Sequence, residues 1–297
     1  MRVVTVQLIY GLAYGGRPVR VHQGSVELMS TAVFFHAHPD DEALLTGGTM
    51  ARLAAGGHRV VLVTATAGGA GLAAAGIAEM DSLAAVRTTE LHNSARALGC
   101  HRVVVLGYAD SGSGEIASPG SFVTVPVLRA AARLAAILDE ERADVVTGYD
   151  PAGGYGHRDH VHTHLVARKA AELAGTPILL EATVDRRALQ RVLTAVAPFT
   201  RHTPDFRAPR FDNCYTAPDR ITHCVPVRAF AGQKRAAMLA HFSQATGDGA
   251  PRSLHRFLQL PLPVFRAVFG REWFVDPGLE PSRRKLKDPL ESLRAAG

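Results

Sequence analysis

The stretch "FFHAHPDDEALLTGG" (residues 34–48) places two histidines, two aspartates and a glutamate within seven residues, directly after an apolar run. The segment that leads into it, "STAVFFHAH" (30–38), is rich in β-branched and aromatic residues, which predicts a buried strand. Residues 41–57 then show helical spacing and end at a Gly-Gly pair, which predicts a helix. The ionisable cluster therefore lies where a strand turns into a helix.

Strand and helix patterns alternate from this point to residue 184. Further strands, with the loops that follow them, are predicted at 58–69, 101–112, 143–154 and 177–184, and helices at 81–99, 125–142 and 157–175. Such alternation predicts an α/β fold, with a Rossmann-like, mostly parallel sheet and helices on both faces. Beyond it, residues 198–233 indicate edge strands or loops, and 232–244 and 253–270 indicate helices.

The 297 residues suffice for one large α/β unit with additions at both ends. We expect an N-terminal extension without a clear fold pattern (1–28), an α/β catalytic core (29–190), a C-terminal extension of short strands, loops and helices packed on the core (191–276) and a flexible tail (277–297).

Composition excludes several classes of partner. The net charge is +6, but basic residues cluster only in "PSRRKLKD" (281–288), without interleaved aromatic residues, so we expect no nucleic-acid partner. No apolar run approaches the ~18 residues that a membrane span needs. The three cysteines form no CxxC pair, which favours a reducing, cytoplasmic compartment. A homo-oligomer is left open.

Polar residues follow several predicted strands, and the carboxyl ends of parallel strands form one rim where ligands bind. His38 and Asp41 follow the first strand, and the fourth is followed by a segment that contains His157, His160, His162 and His164. Catalytic zinc typically has three protein ligands and an open position for water. We expect His38, Asp41 and one of the later histidines to bind one divalent ion per chain, with Asp40 as general base. Taken alone, His-Pro-Asp-Asp is also typical of a helix cap; the second histidine cluster favours the metal.

The motifs "AHPDDE", "RTTEL", "LGYADSG" and "GGYGHRDHVHTH", in this order, resemble those of the PIG-L/LmbE-like zinc N-deacetylases, from about residue 31 to 170. The resemblance is closest to the actinobacterial branch that deacetylates the glucosaminyl-inositol precursor of mycothiol or cleaves mycothiol conjugates. It implies a zinc ion; Fe²⁺ or another divalent ion also suits the ligands.

Carried over residue by residue, the resemblance implies that zinc is bound by His38, Asp41 and His160. Asp40 would be the general base, and His157, oriented by Asp159, the general acid and oxyanion stabiliser. Tyr155 would help to polarise the amide carbonyl. Arg87 and Asp110 would bind sugar or polyol hydroxyls. Two simpler interpretations stay open: Arg87 in an ion pair with Glu90, and Asp110 as a turn residue.

The function expected from the resemblance is removal of the N-acetyl group from an N-acetylglucosamine-type conjugate, a small-molecule substrate. The alternatives are an amidase that cleaves a larger amide such as a mycothiol conjugate, a Mg²⁺-dependent phosphoesterase and a non-catalytic glycoconjugate-binding protein. Arg158 stands where the mycothiol branch usually has proline, and the loop "AGGAGLAAAG" (67–76) lacks acidic residues. Both departures fall where the substrate is expected, so they concern the substrate more than the metal.

Overall fold

The computed structural model describes residues 19–22, 25–70, 80–112, 116–191, 194, 214–245 and 253–295. The strands are β1 (Val19–His22), β2 (Ser25–Leu28), β3 (Thr31–His36), β4 (Arg59–Thr66), β5 (Arg102–Tyr108), β6 (Val145–Tyr149), β7 (Ile178–Thr183), β8 (His223–Pro226) and β9 (Arg271–Val275). The helices are α1 (Asp41–Leu45), α2 (Gly47–Ala55), α3 (Met80–Leu98), α4 (Val127–Glu141), α5 (Arg158–Ala174), α6 (Ala231–Ala240), α7 (Phe242–Ala245), α8 (Ser253–Leu258), α9 (Leu262–Val268) and α10 (Glu291–Ala295).

In the described residues, seven strands form one sheet in the order β5-β4-β3-β6-β7-β9-β8. The first five are parallel, whereas β9 runs antiparallel to both β7 and β8. This confirms the α/β class and the mostly parallel sheet. The strand order reverses between β3 and β6, which pair directly. Because the following connections leave in opposite directions there, a crevice opens at their carboxyl ends.

The side chains of β3 point alternately to the two faces of the sheet, and helices cover both faces. Ala32 and Phe34 pack into the cluster that also contains residues of α2, α3 and α6, whereas Val33 and Phe35 pack with residues of α4 and α5. All four side chains are buried. A strand covered on both faces reads as a continuous apolar run, which is the pattern of residues 31–35.

The predicted helix at 41–57 is divided at Thr46 into α1 and α2. The second helix begins there because the Glu272 carboxylate, from β9, accepts the backbone N–H groups of Gly48 at 2.8 Å and Thr49 at 2.7 Å. A carboxylate at a helix N-terminus satisfies unpaired donors and interacts favourably with the helix dipole. The buried Lys234 pairs with the same carboxylate at 2.5 Å and donates to the carbonyl of Leu44.

The C-terminal part extends the sheet instead of forming a separate layer. Strand β9 was not predicted, and β8 falls in the segment predicted as edge strands or loops; residues 198–213 of that segment lie outside the described residues. The segment predicted as a flexible tail packs against the protein at Leu286 and Leu290. The backbone of Leu286 exchanges hydrogen bonds with Thr222 and Cys224, and Leu290 is buried in the core. These apolar side chains gain burial that a free tail would lack.

Residues 1–18 of the expected N-terminal extension lie outside the described residues, and its remainder contains the β1–β2 hairpin. In the described part of the chain, no helix combines the length and apolar character needed to cross a membrane.

We predict that Glu272→Gln lowers the free energy of unfolding by about 3–5 kcal/mol, because it leaves the buried Lys234 ammonium without a counter-charge. Chemical denaturation measures this. The matched control is Glu172→Gln, which removes an exposed pair with Lys169 and is expected to cost about 0–1 kcal/mol. Equal losses in the two variants would contradict the structural role of Glu272.

Candidate metal centre and active site

His38 and Asp41 lie together at the turn that follows β3, as predicted. The backbone N–H of His38 donates to Oδ2 of Asp41 at 3.0 Å, and Nδ1 of the same histidine lies 3.3 Å from that oxygen. Both residues are buried, so the local turn aims an imidazole and a carboxylate into the crevice.

His160, in the first turn of α5, faces Asp41 from the other side of the crevice. Its Nε2 atom lies 3.3 Å from Oδ2 of Asp41, and it is buried without a hydrogen bond. The other ring nitrogen, Nδ1, contacts the carbonyl of Gly153 at 3.2 Å, and the ring stacks on Tyr149 at 4.2 Å. Because a carbonyl oxygen can only accept a hydrogen bond, Nδ1 of His160 carries the proton. In the neutral ring, Nε2 then has a lone pair that is free to bind a metal ion.

A glycine is required at position 153 for this arrangement. Gly153 has a φ of 62°, and a Cβ there would lie 2.6 Å from the backbone nitrogen of Val161. The loop therefore lies close against the start of α5, where its carbonyl reaches His160.

Asp41 lies at the spacing of a tetrahedral zinc site from each of the other two predicted ligands. For bonds of about 2.1 Å, neighbouring ligands of a tetrahedral zinc ion lie about 3.4 Å apart. Oδ2 of Asp41 lies 3.3 Å from a ring nitrogen of His38 and 3.3 Å from Nε2 of His160. The unsatisfied Nε2 of His160 would gain a partner on binding the ion.

Two other groups of ligand atoms share His38, and neither includes Asp41. Among the described residues, the groups of three whose metal-binding atoms all lie within 4.8 Å of one another are His38, His157 and His160, and His38, Asp110 and Asp159. Nε2 of His38 lies 3.1 Å from Asp159 and 3.5 Å from Asp110. Burial lowers the pKa of His38, but these carboxylates and Asp41 outweigh it and raise the pKa well above its usual value. The cluster therefore attracts positive charge.

Asp40 has a left-handed backbone, with a φ of 105°, which is rare for a residue other than glycine. Its N–H donates to Oε2 of Glu42 at 2.9 Å, and its carboxylate lies 3.4 Å from Nη2 of Arg87. Burial raises the pKa of Asp40 to about 6, against the opposing effect of Arg87. Strained residues of this kind are concentrated at functional sites, where surrounding contacts maintain them.

Arg87 is 3% exposed and holds the two loops that meet at the crevice. Its guanidinium donates to the carbonyls of Pro39 and Gly68, the latter at 2.8 Å. The alternative ion pair with Glu90 is not formed, because Glu90 accepts hydrogen bonds from Ser243 instead. Contact of Arg87 with a sugar stays a prediction, and its observed partners are two backbone carbonyls and the carboxylate of Asp40.

The structure places Asp110 and Asp159 beside His38. Burial raises the pKa of Asp110, but hydrogen bonding to His38 outweighs it and lowers the pKa to about 2, so this residue is a carboxylate of the cluster. The expectation that the Asp159 side chain orients His157 differs from the geometry. That carboxylate contacts His38 and accepts the N–H of Ser111 at 3.0 Å, because it projects from α5 across the crevice.

His157 and Tyr155 form the outer side of the crevice. Nδ1 of His157 accepts the backbone N–H of Asp159 at 3.2 Å, so the neutral ring carries its proton on Nε2. Burial and the neighbouring His38 and His160 lower the pKa of His157. Tyr155 is 59% exposed, and its ring lies 5.0 Å from that of His160. Partial desolvation and nearby carboxylates raise the pKa of Tyr155, which keeps its hydroxyl a donor.

The remaining histidines of the segment do not join the site. His162 packs edge-on against Phe122, and Nδ1 of His164 contacts the carbonyl of Tyr149 at 2.9 Å. Tyr149 was missed from the sequence, although it ends β6 at the rim and supports His160.

Comparisons with known proteins identify the family of this chain. The family model described as PIG-L: GlcNAc-PI de-N-acetylase matches residues 33–171, which include the candidate metal ligands. A 1D-myo-inositol 2-acetamido-2-deoxy-alpha-D-glucopyranoside deacetylase of Saccharomonospora viridis is 37% identical over 78% of this chain and 91% of that protein. The chain belongs to the PIG-L family.

Two further comparisons agree with membership of the PIG-L family. A deacetylase of the same description from Mycobacteroides abscessus is 36% identical over 76% of this chain and 86% of that protein. The solved N,N'-diacetylchitobiose deacetylase of Pyrococcus horikoshii has a TM-score of 0.56 at 20% identity and covers 83% of each chain, which shows a shared fold.

We predict that His160→Ala loses the bound divalent ion, measured by elemental analysis after dialysis, because the variant lacks a ligand atom of the set His38, Asp41 and His160. The control His162→Ala changes a histidine on the same helix that packs on Phe122, and it should retain the ion. Retention of metal by His160→Ala together with loss in Asp110→Asn would instead assign the ion to the set with Asp110 and Asp159.

Proposed function

We propose that this PIG-L family member is a zinc-dependent hydrolase that removes the N-acetyl group from an N-acetylglucosamine-type amino-sugar conjugate. The observation that carries the proposal is Asp40 itself, which stands in a strained backbone between the predicted ligands His38 and Asp41 and whose pKa is raised by burial and also by the neighbouring Asp41. A base next to a Lewis acid is the arrangement that metal-assisted amide hydrolysis needs.

The relatives support the substrate class. Two deacetylases of an inositol-linked 2-acetamido sugar match most of this chain at 36–37% identity. A small polar conjugate of this kind also fits a crevice lined by carboxylates, imidazoles and a tyrosine hydroxyl. Because all three cysteines are free thiols, we also propose a reducing, cytoplasmic compartment.

Zinc held by His38, Asp41 and His160 would supply Lewis acidity, which polarises an amide carbonyl and acidifies water. Asp40 accepts a proton from the attacking water as the oxygen–carbon bond forms. A pKa of about 6 leaves this carboxylate ionised at neutral pH while keeping it basic enough to hold the proton.

The developing oxyanion needs hydrogen-bond donors, and the hydroxyl of Tyr155 and the Nε2–H of His157 are the groups at the outer side of the crevice. The leaving nitrogen then needs a proton before the carbon–nitrogen bond breaks. His157 was expected to supply it, but its Nδ1 accepts a backbone hydrogen bond, which favours the neutral ring. We therefore assign oxyanion stabilisation to His157. We assign to Asp40 the transfer of the proton it took from water to the leaving nitrogen, which gives acetate and a free amine.

The test is a screen of zinc-loaded protein against N-acetylglucosaminyl conjugates, with acetate and primary amine measured together. Equal release of both supports the proposal. Release of a larger acid with the amine would assign an amidase, and release of phosphate from sugar phosphates would assign a phosphoesterase. Saturable binding with no product from any conjugate would contradict an enzymatic function.

We predict that Asp40→Asn lowers kcat by roughly 10²–10⁴-fold while metal content is unchanged, because the amide cannot accept the water's proton. Steady-state kinetics and elemental analysis on the same sample measure this. Asp139→Asn, at an exposed position of α4, is the matched control and should retain full activity. Undiminished turnover in Asp40→Asn would refute the base assignment.

We predict that Tyr155→Phe lowers kcat by roughly 10²-fold with little change in KM, since an oxyanion donor acts mainly in the transition state. The phenyl ring preserves the packing beside His160, so a larger effect on KM than on kcat would show that the hydroxyl binds substrate instead.

A further inference from the structure

Glu42 is a fully buried carboxylate that the proposed mechanism does not use. Oε2 accepts the backbone N–H of Asp40 at 2.9 Å. Oε1 accepts the hydroxyl of Ser94, on α3, at 2.5 Å and lies 2.6 Å from Nε2 of His241, just after α6. One carboxylate therefore joins the Asp40 loop to a helix of the core and to the C-terminal helices.

The peptide between Pro39 and Asp40 is held at both ends. Arg87 donates to its carbonyl oxygen, and Glu42 accepts its N–H. A left-handed backbone at a residue other than glycine persists only where surrounding contacts determine it. The Asp40 carbonyl also accepts the N–H groups of Ala43 and Leu44, and its carboxylate pairs with Arg87. Of these contacts, the one from Glu42 holds the N–H of the strained residue itself.

His241 is itself fixed in place. It is fully buried, and the segment that follows it is anchored to α3 through Glu90. This carboxylate accepts both the N–H of Ser243, at 2.7 Å, and its hydroxyl, at 2.6 Å. His241 is thus presented to Glu42 by a segment with its own anchor, and Ser243 can be changed without removing the contact to Glu42.

We propose that His241 is a positioning residue that acts through Glu42 to hold Asp40 in its strained, catalytically oriented backbone. The proposal rests on the proposed function only in that Asp40 is the general base. A buried carboxylate that loses a donor turns toward other donors or takes up water, because an unsatisfied charge in the interior is costly. Either response weakens its hold on the N–H of Asp40.

The first measurement is hydrogen exchange of the metal-free protein, which does not depend on any activity. In His241→Leu, the amides of residues 40–42 should exchange faster than in the wild type. His241→Gln, whose amide N–H can still reach Glu42, should restore protection. The control Ser243→Ala loses a buried hydrogen bond to Glu90 and should leave exchange at 40–42 unchanged.

The second measurement is kinetic. His241→Leu should lower kcat roughly 10–100-fold, the usual effect of removing a residue that supports a directly acting group, with KM and metal content unchanged. His241→Gln should recover most of the loss, and Ser243→Ala should stay within about twofold of wild type. If His241→Leu does not fold, the partial loss in His241→Gln relative to Ser243→Ala decides the same question.

The decisive comparison measures the effect of His241→Leu on kcat in the wild type and in the Asp40→Asn variant. In that background the base is absent, so His241→Leu should cause no further loss of kcat. An equal fractional loss in both backgrounds, or unchanged exchange at 40–42, would overturn the proposal. Full activity of Asp40→Asn would refute the proposed base but leave the exchange result intact, so the two failures are distinguishable.

Discussion

The direct pairing of β3 with β6 is the constraint on which the site depends. These strands lie side by side in the sheet although more than a hundred residues separate them in the chain. Their pairing brings the turn that carries His38 and Asp41 opposite the start of α5, which carries His160. Neither turn supplies enough ligands for a metal ion alone. The sheet therefore assembles the centre from two short motifs, and a shift of register between these strands would separate its halves.

The charge balance of the crevice follows from this arrangement. Three carboxylates, Asp41, Asp110 and Asp159, surround one imidazole at His38. Buried acidic groups at such density repel one another unless a cation is shared among them. Arg87 pairs with Asp40 and His241 pairs with Glu42, so each of these two groups contacts a carboxylate that does not belong to the predicted ligand set.

The alternating parallel core was predictable because its signals are local. The continuous apolar run at Phe34 and Phe35 indicates a strand covered on both faces, and the motif residues follow strand ends. The contacts that sequence reasoning missed join residues of different elements, and two of the three span about two hundred residues of the chain. The sequence near Thr46 does not indicate that a new helix begins there, because the carboxylate that accepts its first N–H groups belongs to Glu272, more than two hundred residues away. Tyr149 stacks on His160 and His241 contacts Glu42, but neither pair has a periodicity that a single sequence displays.

The C-terminal contacts also have a consequence for biosynthesis. The part of the chain from β3 to β7 contains every predicted metal ligand. Glu272 and His241, which contact α2 and Glu42, are translated only afterwards. A nascent chain that has emerged as far as β7 contains the predicted ligands but lacks Glu272 and His241. The predicted ligands are thus translated before the residues whose contacts shape the Asp40 loop and the start of α2.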